Sequence, residues 1–202
     1  MKIDIIIAGV GGQGNLLASR VLARAALTAG LEVRTSESIG MAQREGPVTS
    51  HVRLGRGLSG AIIPDRAADI LLGLELAETV RSLPKLKDEG RVVASTVVIR
   101  PITVTLGRSR YPAEELLAYL REVVPGALLF DAAETARRAG NVKAANTVLL
   151  GALSTLDGVL PFDHEDLLAA LVATIPAKLL EVNRHAFALG REEALRVLEH
   201  RI

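Results

Sequence analysis

Cysteine and tryptophan are absent from this 202-residue chain, and there are only three Phe and two Tyr. Without thiolates the chain can hold no disulfide, no zinc–thiolate site and no iron–sulfur cluster of its own. The absence suits a reduced compartment. So few aromatic rings leave no stacking platform for bases or sugars, and the core must be aliphatic. The four His, at 51, 164, 185 and 200, show no ligand-like spacing, so no metal site is expected. Neither charge sign is in excess: 24 Lys and Arg face 23 Asp and Glu, net +1, with no run of like charge. A nucleic-acid partner, which would need a clustered basic surplus, is therefore not expected. No apolar stretch reaches the roughly 20 residues that span a bilayer. The short N-terminal run carries Asp4 in its middle and leads straight into glycines. It reads as a buried strand rather than a signal peptide. A soluble cytoplasmic protein is the expectation.

What is present is aliphatic. Hydrophobic residues make up 49% of the chain, enough for a sizeable core without staples. Ile3 to Ala8 is almost continuously apolar and β-branched, as in a strand covered on both faces. Leu16, Leu17, Val21, Leu22, Ala25 and Ala26 recur at helical spacing, and Gly30 closes that helix. Leu31 to Ser36 is a second strand, which makes strand, turn, helix, strand one βαβ unit. From Glu37 to Thr49 periodicity is lost and a long loop is expected, of the kind that is more often functional than idle.

Farther on, strands are expected at 51–55, 61–64, 69–74, 91–95 and 127–130, with an alternating edge segment at Thr103–Leu106. Helices are expected at 76–86, interrupted near Pro84, and at 112–124 with Pro112 at its start. The C-terminal third reads as helices at 144–156, 165–175, 177–189 and 192–199, with breaks at Pro176 and Gly190. Asp163 and Asp166 have capping-box-like spacing. This pattern predicts an α/β fold: a three-layer, Rossmann-like, mostly parallel sheet with a helical C-terminal layer, in one domain.

Two motifs carry chemistry. Gly9-Val10-Gly11-Gly12-Gln13-Gly14 lies between the first strand and helix and fits G-x-G-x-x-G. Gly9 permits the tight turn, Gly11 lets backbone approach a diphosphate, and Gly14 lets helix and strand lie close. The helix N-terminus then faces an anion. The same geometry also serves an empty tight βα connection. In a dinucleotide site the ribose needs an acid at the end of the second strand; Glu37, 23 residues beyond Gly14, has acceptable spacing. Arg34 and Ser36 would suit a 2′-phosphate instead. Gly12 and Gln13 are unusual for a plain NAD turn.

The second motif, about thirty residues on, is Gly40-Met41-Ala42-Gln43-Arg44-Glu45-Gly46. Arg44 is a guanidinium suited to bidentate binding of a carboxylate or phosphate, or else a loop brace paired with Glu45 or Glu37. Beyond it, His51 and Arg53 share one face of a strand and Ser50 and Val52 the other. One His provides no base–nucleophile pair. Asn146, in an apolar helix, is placed to brace the turn or the loop, and Asn183 to make a buried structural bond. Arg137, Arg138 and Lys143 cluster around Gly140, either as a solvated helix end or as cations for phosphates.

Read together, these segments resemble a known family. Gly-Val-Gly-Gly-Gln-Gly, then Glu-x-x-Gly-Met-Ala-Gln-Arg-Glu-Gly-Pro-Val-x-Ser-His-Val-Arg, is similar to the γ-type domain of the 2-oxoacid:ferredoxin oxidoreductases. Asn146 to Leu153 and Glu181 to Phe187 extend the likeness over nearly the whole chain. The Arg44-Glu45-Gly46 variant is most similar to the small subunit of indolepyruvate:ferredoxin oxidoreductases; many other members have Gly in place of Glu45. The resemblance implies a single γ-type unit over residues 1–202. It implies an accessory subunit, inactive alone, of an enzyme that oxidatively decarboxylates a 2-oxo acid to an acyl-CoA and passes electrons to ferredoxin. Thiamine diphosphate and the clusters would sit on a larger partner subunit, in a dimer of heterodimers if the complex doubles. Gly9, Gly11, Gly12, Gln13 and Gly14 would receive phosphates of coenzyme A. Arg44, Glu45 and His51 would face substrate or partner. Two other readings compete: a free-standing NAD(P)-binding oxidoreductase, and a non-catalytic phosphate-binding scaffold.

Overall fold

A computed structural model describes residues 2–41 and 46–200. Six strands form one sheet in the order β2-β3-β1-β4-β5-β6. They are β1 (Lys2–Val10), β2 (Glu32–Ile39), β3 (Pro47–Gly55), β4 (Ala68–Gly73), β5 (Leu86–Ser95) and β6 (Leu128–Phe130). β1, β4, β5 and β6 pair in parallel; β3 runs antiparallel to both of its neighbours, β1 and β2. Five of the six strands thus point the same way, as a mostly parallel sheet requires. The apolar run in β1 reflects its central position, since Ile5, Ile6, Ile7 and Ala8 have no exposed surface.

Side chains alternate between two layers. Ile5, Ile7, Val52, Leu54, Ile70, Leu72 and Val93 pack into the larger core with α1 (Asn15–Thr28), α5 (Ala132–Arg138), α6 (Ala145–Leu153), α7 (His164–Val172) and α8 (Leu180–Glu199). Ile6, Ala8, Leu71, Val92 and Ala94 face a smaller core with Ile63 and Ala127. That side is covered by α2 (Leu76–Ser82) and α4 (Ala113–Val123). The C-terminal helical layer is the cap on the larger face. Among the described residues no helix is long and apolar enough to cross a membrane.

Several local expectations are corrected. β2 and β3 take up both ends of the segment expected as a loop, 37–39 and 47–49, leaving 40–46 between them. Residues 61–64 are not a strand, and Thr103–Leu106 is not an edge strand. The latter stretch largely forms a one-turn helix, α3 (Ile102–Thr105), after Pro101. β5 begins at Leu86, five residues before the expected start. Gly190 does not break a helix: α8 runs through it. A Cβ there would lie 1.9 Å from the Val148 carbonyl oxygen, and one at Gly151 would lie 2.0 Å from that of Phe187. These two glycines let α6 and α8 cross backbone to backbone. Gly30, with φ of 74°, ends α1 as expected, with its N–H donating to Leu27 O and that of Leu31 to Ala26 O. Asp163 and Asp166 form the reciprocal capping box at α7.

Candidate functional site

The glycine turn lies at the carboxyl end of β1, where the connections leave the sheet in opposite senses. That is where open α/β sheets hold their ligands. Gln13 closes the turn from within. Its Oε1 accepts the Val10 N–H at 2.9 Å, and its Nε2 donates to Leu74 O at 2.9 Å, tying the turn to the end of β4. Gly9 is needed for this arrangement, because a Cβ there would lie 2.8 Å from Gln13 Oε1 and 3.0 Å from Leu74 Cβ. Gln13, unusual for a dinucleotide turn, is thus the buttress of this one.

Asn15 and Asn146 secure the other side. Asn15 Nδ2 donates to Val48 O at 3.0 Å and Ile7 O at 3.4 Å, bridging β1 and β3. Its Oδ1 is buried without a partner among the described residues. Asn146 Nδ2 donates to Gly14 O at 3.3 Å, so the expected brace of the turn is present. Thr147 Oγ1 donates to Asn183 Oδ1 at 2.6 Å, and Asn183 Nδ2 to Leu179 O at 2.8 Å. This gives Asn183 its expected buried bond and ties α6 to the start of α8. Gly14 has φ of 86°, and a Cβ there would lie 2.2 Å from Asn146 Nδ2.

The outer surface of the turn is open. Gly12 is exposed, with φ of 89° and nothing within 4 Å of a Cβ position. The N–H groups of Gly12 and Gly14 have no partner among the described residues, whereas the Gly11 N–H donates to Gly46 O at 2.9 Å. That last bond joins the two sequence motifs. Gly40 N–H donates to Pro47 O at 2.8 Å and closes the base of the second one. Arg44 and Glu45 lie outside the described residues.

Next to Gly12, Gln13 and Asn146 is a cavity of about 300 Å³ with Val97, Ile99 and Leu149 on its apolar walls. Arg137 and Lys143 line it as well. Arg137 also pairs with Glu134 at 2.8 Å, both side chains well exposed, which restrains it weakly. Arg138 is different: it pairs with Glu193 at 2.6 Å, linking α5 to α8. Burial of Glu193 favours its neutral form, but hydrogen bonds and charge from Arg196 and Arg138 outweigh this and lower its pKa. Two of the three clustered cations therefore face the turn's cavity, and the third is structural.

Other sequence candidates lie elsewhere. His51 sits opposite Ile6, three residues along β3 from the Val48–Gly9 pair, hence about 10 Å from the turn. It is buried, and its Nδ1 accepts the Ile63 N–H at 3.1 Å. Burial, with the positive charges of Lys85 and Arg53, lowers its pKa and keeps it neutral. Arg53 forms a buried two-pronged pair with Asp4, Nε to Oδ1 at 2.9 Å and Nη2 to Oδ2 at 3.1 Å. It also donates to Ser59 O at 2.8 Å. His51 and Arg53 do share a face, and the loop they meet is 59–63.

The inserted β3 alters the dinucleotide reading. β2 is not the neighbour of β1, so Glu37 lies two strands away, about 10 Å. There it accepts from Ser50 Oγ at 3.3 Å. Arg34 is turned to Leu58 O at 2.9 Å. Neither reaches a ribose held at the turn.

Sequence reasoning missed Glu75 and Tyr111. Glu75 follows β4 immediately, is 1% exposed, and caps α2 by accepting the Glu78 N–H at 3.0 Å. Its Oε1 accepts the Tyr111 hydroxyl at 2.5 Å and the Ile99 N–H at 3.1 Å. Burial and the bond to Glu75 push the Tyr111 pKa well above the usual range, so its hydroxyl stays protonated. The available signal was an acid placed between Leu74 and Leu76 at a strand end. Its partner is 36 residues away. No cluster of three or more His, Cys, Asp or Glu suited to a metal exists among the described residues.

These features define a doubly wound α/β protein that offers an anion-compatible turn and two cations, while His51, Arg53, Glu75 and Tyr111 are engaged in structural bonds. The chain belongs to the pyruvate ferredoxin/flavodoxin oxidoreductase family, whose model matches residues 4–193. It is 39% identical over 196 residues to the indolepyruvate oxidoreductase subunit IorB of Archaeoglobus fulgidus, covering 96% of both chains. Its counterpart in Pyrococcus horikoshii is 40% identical over 197 residues, covering 96% of this chain and 97% of that one. The structure is similar to the γ subunit of a keto/oxoacid ferredoxin oxidoreductase from Geobacter sulfurreducens. There the TM-score is 0.71 at 27% identity, over 97% of this chain and 98% of that one.

Proposed function

We propose that this chain is the accessory subunit of a cytoplasmic 2-oxoacid:ferredoxin oxidoreductase acting on arylpyruvates such as indolepyruvate, and is inactive alone. The observation that carries this reading is the end-to-end likeness to indolepyruvate oxidoreductase subunits. Division of labour follows from composition. With no cysteine in the sequence, this chain does not fit iron–sulfur clusters. A larger partner subunit supplies these and thiamine diphosphate, which provides the decarboxylation chemistry, and passes electrons to ferredoxin.

The turn fits a phosphate. Gly12 and Gly14 offer N–H groups at the start of a 14-residue helix, and Arg137 and Lys143 add positive charge across the cavity. We assign this site to the phosphates of coenzyme A. The same end of the sheet exposes Leu16, Ile39, Met41, Ile102, Leu106 and Val142, with Met41 fully exposed. A collar of apolar side chains around a polar turn suits a partner surface. It would place the partner's reacting centre beside the turn.

Anaerobic affinity purification of this chain from its host tests the reading. A stoichiometric large subunit carrying iron and thiamine diphosphate is expected. Recovery of the chain alone, or with a partner lacking both cofactors, would overturn it.

A further inference from the structure

Between β5 and α4, residues 100–110 arch over the sheet's carboxyl end. Within this stretch only Val104 is partly buried; the other residues are exposed. Its hydrogen bonds are its own: Val104 N to Pro101 O, Arg108 N to Thr103 O, Ser109 Oγ to Thr103 Oγ1. The one bond leaving it among the described residues is the exposed Arg110–Glu115 pair. The stretch has the size of an Ω-loop, a compact surface excursion whose ends lie close together.

Both ends of the arch meet one atom. Ile99 N–H, just before it, and the Tyr111 hydroxyl, just after it, both donate to Glu75 Oε1, at 3.1 and 2.5 Å. The Ala77 N–H completes the knot by donating to the Tyr111 oxygen at 3.0 Å. Under the arch lies a mainly apolar cavity of about 760 Å³, bordered by Val10, Pro47, Val80, Ile99, Val104 and Leu116. The clasp is linked to the glycine turn: Leu74, one residue before Glu75, accepts from Gln13 Nε2.

We infer that residues 100–110 are a strap that opens as a unit over this cavity, with Glu75 and Tyr111 as its clasp. The arch has its own internal bonds and little burial, so opening breaks the clasp and shallow apolar contacts but no strand pairing. Segments with few buried contacts form the low-stability units of a fold. Charge-assisted bonds such as Tyr111 to Glu75 are the strong ones, so this contact sets the closed population. The inference does not depend on the reaction the complex performs.

The absence of native cysteine makes the test direct. Two cysteines are introduced in the full chain, Leu106→Cys on the strap and Arg20→Cys on the exposed face of α1. Nitroxide labels then report their separation by double electron–electron resonance. With Tyr111 intact one dominant distance is expected. Adding Tyr111→Phe is expected to raise the open-to-closed ratio about tenfold, as loss of a bond to a charged group implies, and a second distance appears. An unchanged distribution in a folded variant overturns the strap, as does a broad one already present with Tyr111 intact. Where the Phe variant does not fold, urea titration of the labelled chain retaining Tyr111 decides. A second distance that appears while helical circular dichroism is intact supports the strap. A single distance that persists until the helices melt overturns it.

Discussion

Replacing Gln13 by Ala tests whether the glycine turn is held from within. The side chain makes two bonds, accepting from Val10 N–H and donating to Leu74 O, both at 2.9 Å. Val10 is only 6% exposed, so its N–H would be left without a ready water partner. An orphaned buried donor costs about 1–3 kcal/mol, and the lost bond to Leu74 about 0.5–1.5 kcal/mol more. The expected destabilisation is therefore about 2–4 kcal/mol. At about 2–4 °C per kcal/mol for a chain of this size, the midpoint should fall by roughly 10 °C. Gln13→Glu keeps the acceptor for Val10 but cannot donate to Leu74 O, so it should lie between wild type and Ala. Urea and thermal unfolding followed by circular dichroism would measure both variants. An Ala variant within about 0.5 kcal/mol of wild type, the range of unimportant surface changes, would refute the buttress.

Other consequences follow from the same geometry. Arg53→Met leaves Asp4 buried without its two-pronged partner and should cost about 3–5 kcal/mol in urea unfolding; a change under 1 kcal/mol would contradict the pairing. Gly190→Ala should destabilise by about 1–3 kcal/mol, although Ala is favoured over Gly inside a free helix, because its Cβ meets the Val148 carbonyl; a stabilised variant would refute the close crossing of α6 and α8. His51 has a lowered pKa in the fold, so the unfolded chain takes up its proton first as pH falls below about 6.5. The His51 contribution is complete above that pH and declines below it until the folded group also protonates. In His51→Gln, which keeps an acceptor for Ile63, the slope of stability just below about pH 6.5 should flatten; an unaltered slope would assign the titration to another group. Arg44→Ala should lower turnover of the assembled complex while this chain stays folded; unchanged turnover and unchanged coenzyme A dependence would remove Arg44 from the site.

Legibility in the sequence followed the range of the interaction. β1, the glycine turn and α1 could be read because each depends on residues within one turn or one strand. The box at Asp163 and Asp166 is equally local. β2 extends through Glu37, Ser38 and Ile39 because their backbones pair with Ser50, Thr49 and Val48, and polar side chains on an exposed edge give no alternation. Thr103 to Leu106 does alternate, but it has no partner strand, and alternation over four residues does not outweigh a helical turn following Pro101. Gly190 has the appearance of a helix break, yet its role is set by Val148, 42 residues away. The Gln13 brace, the Glu75–Tyr111 clasp and the Asp4–Arg53 pair all join segments that only the tertiary fold brings together. The insertion of β3 between β1 and β2 is of the same kind: it moves Glu37 away from the turn without changing its spacing in sequence.

The most direct test of the subunit assignment is reconstitution. The co-purified large subunit, loaded with thiamine diphosphate and iron–sulfur clusters, would be assayed for indolepyruvate-driven, coenzyme A-dependent ferredoxin reduction with and without this chain. The account predicts full turnover only when both are present, and none from this chain alone. Ferredoxin reduction by this chain alone, or an undiminished rate from the large subunit without it, would contradict the assignment.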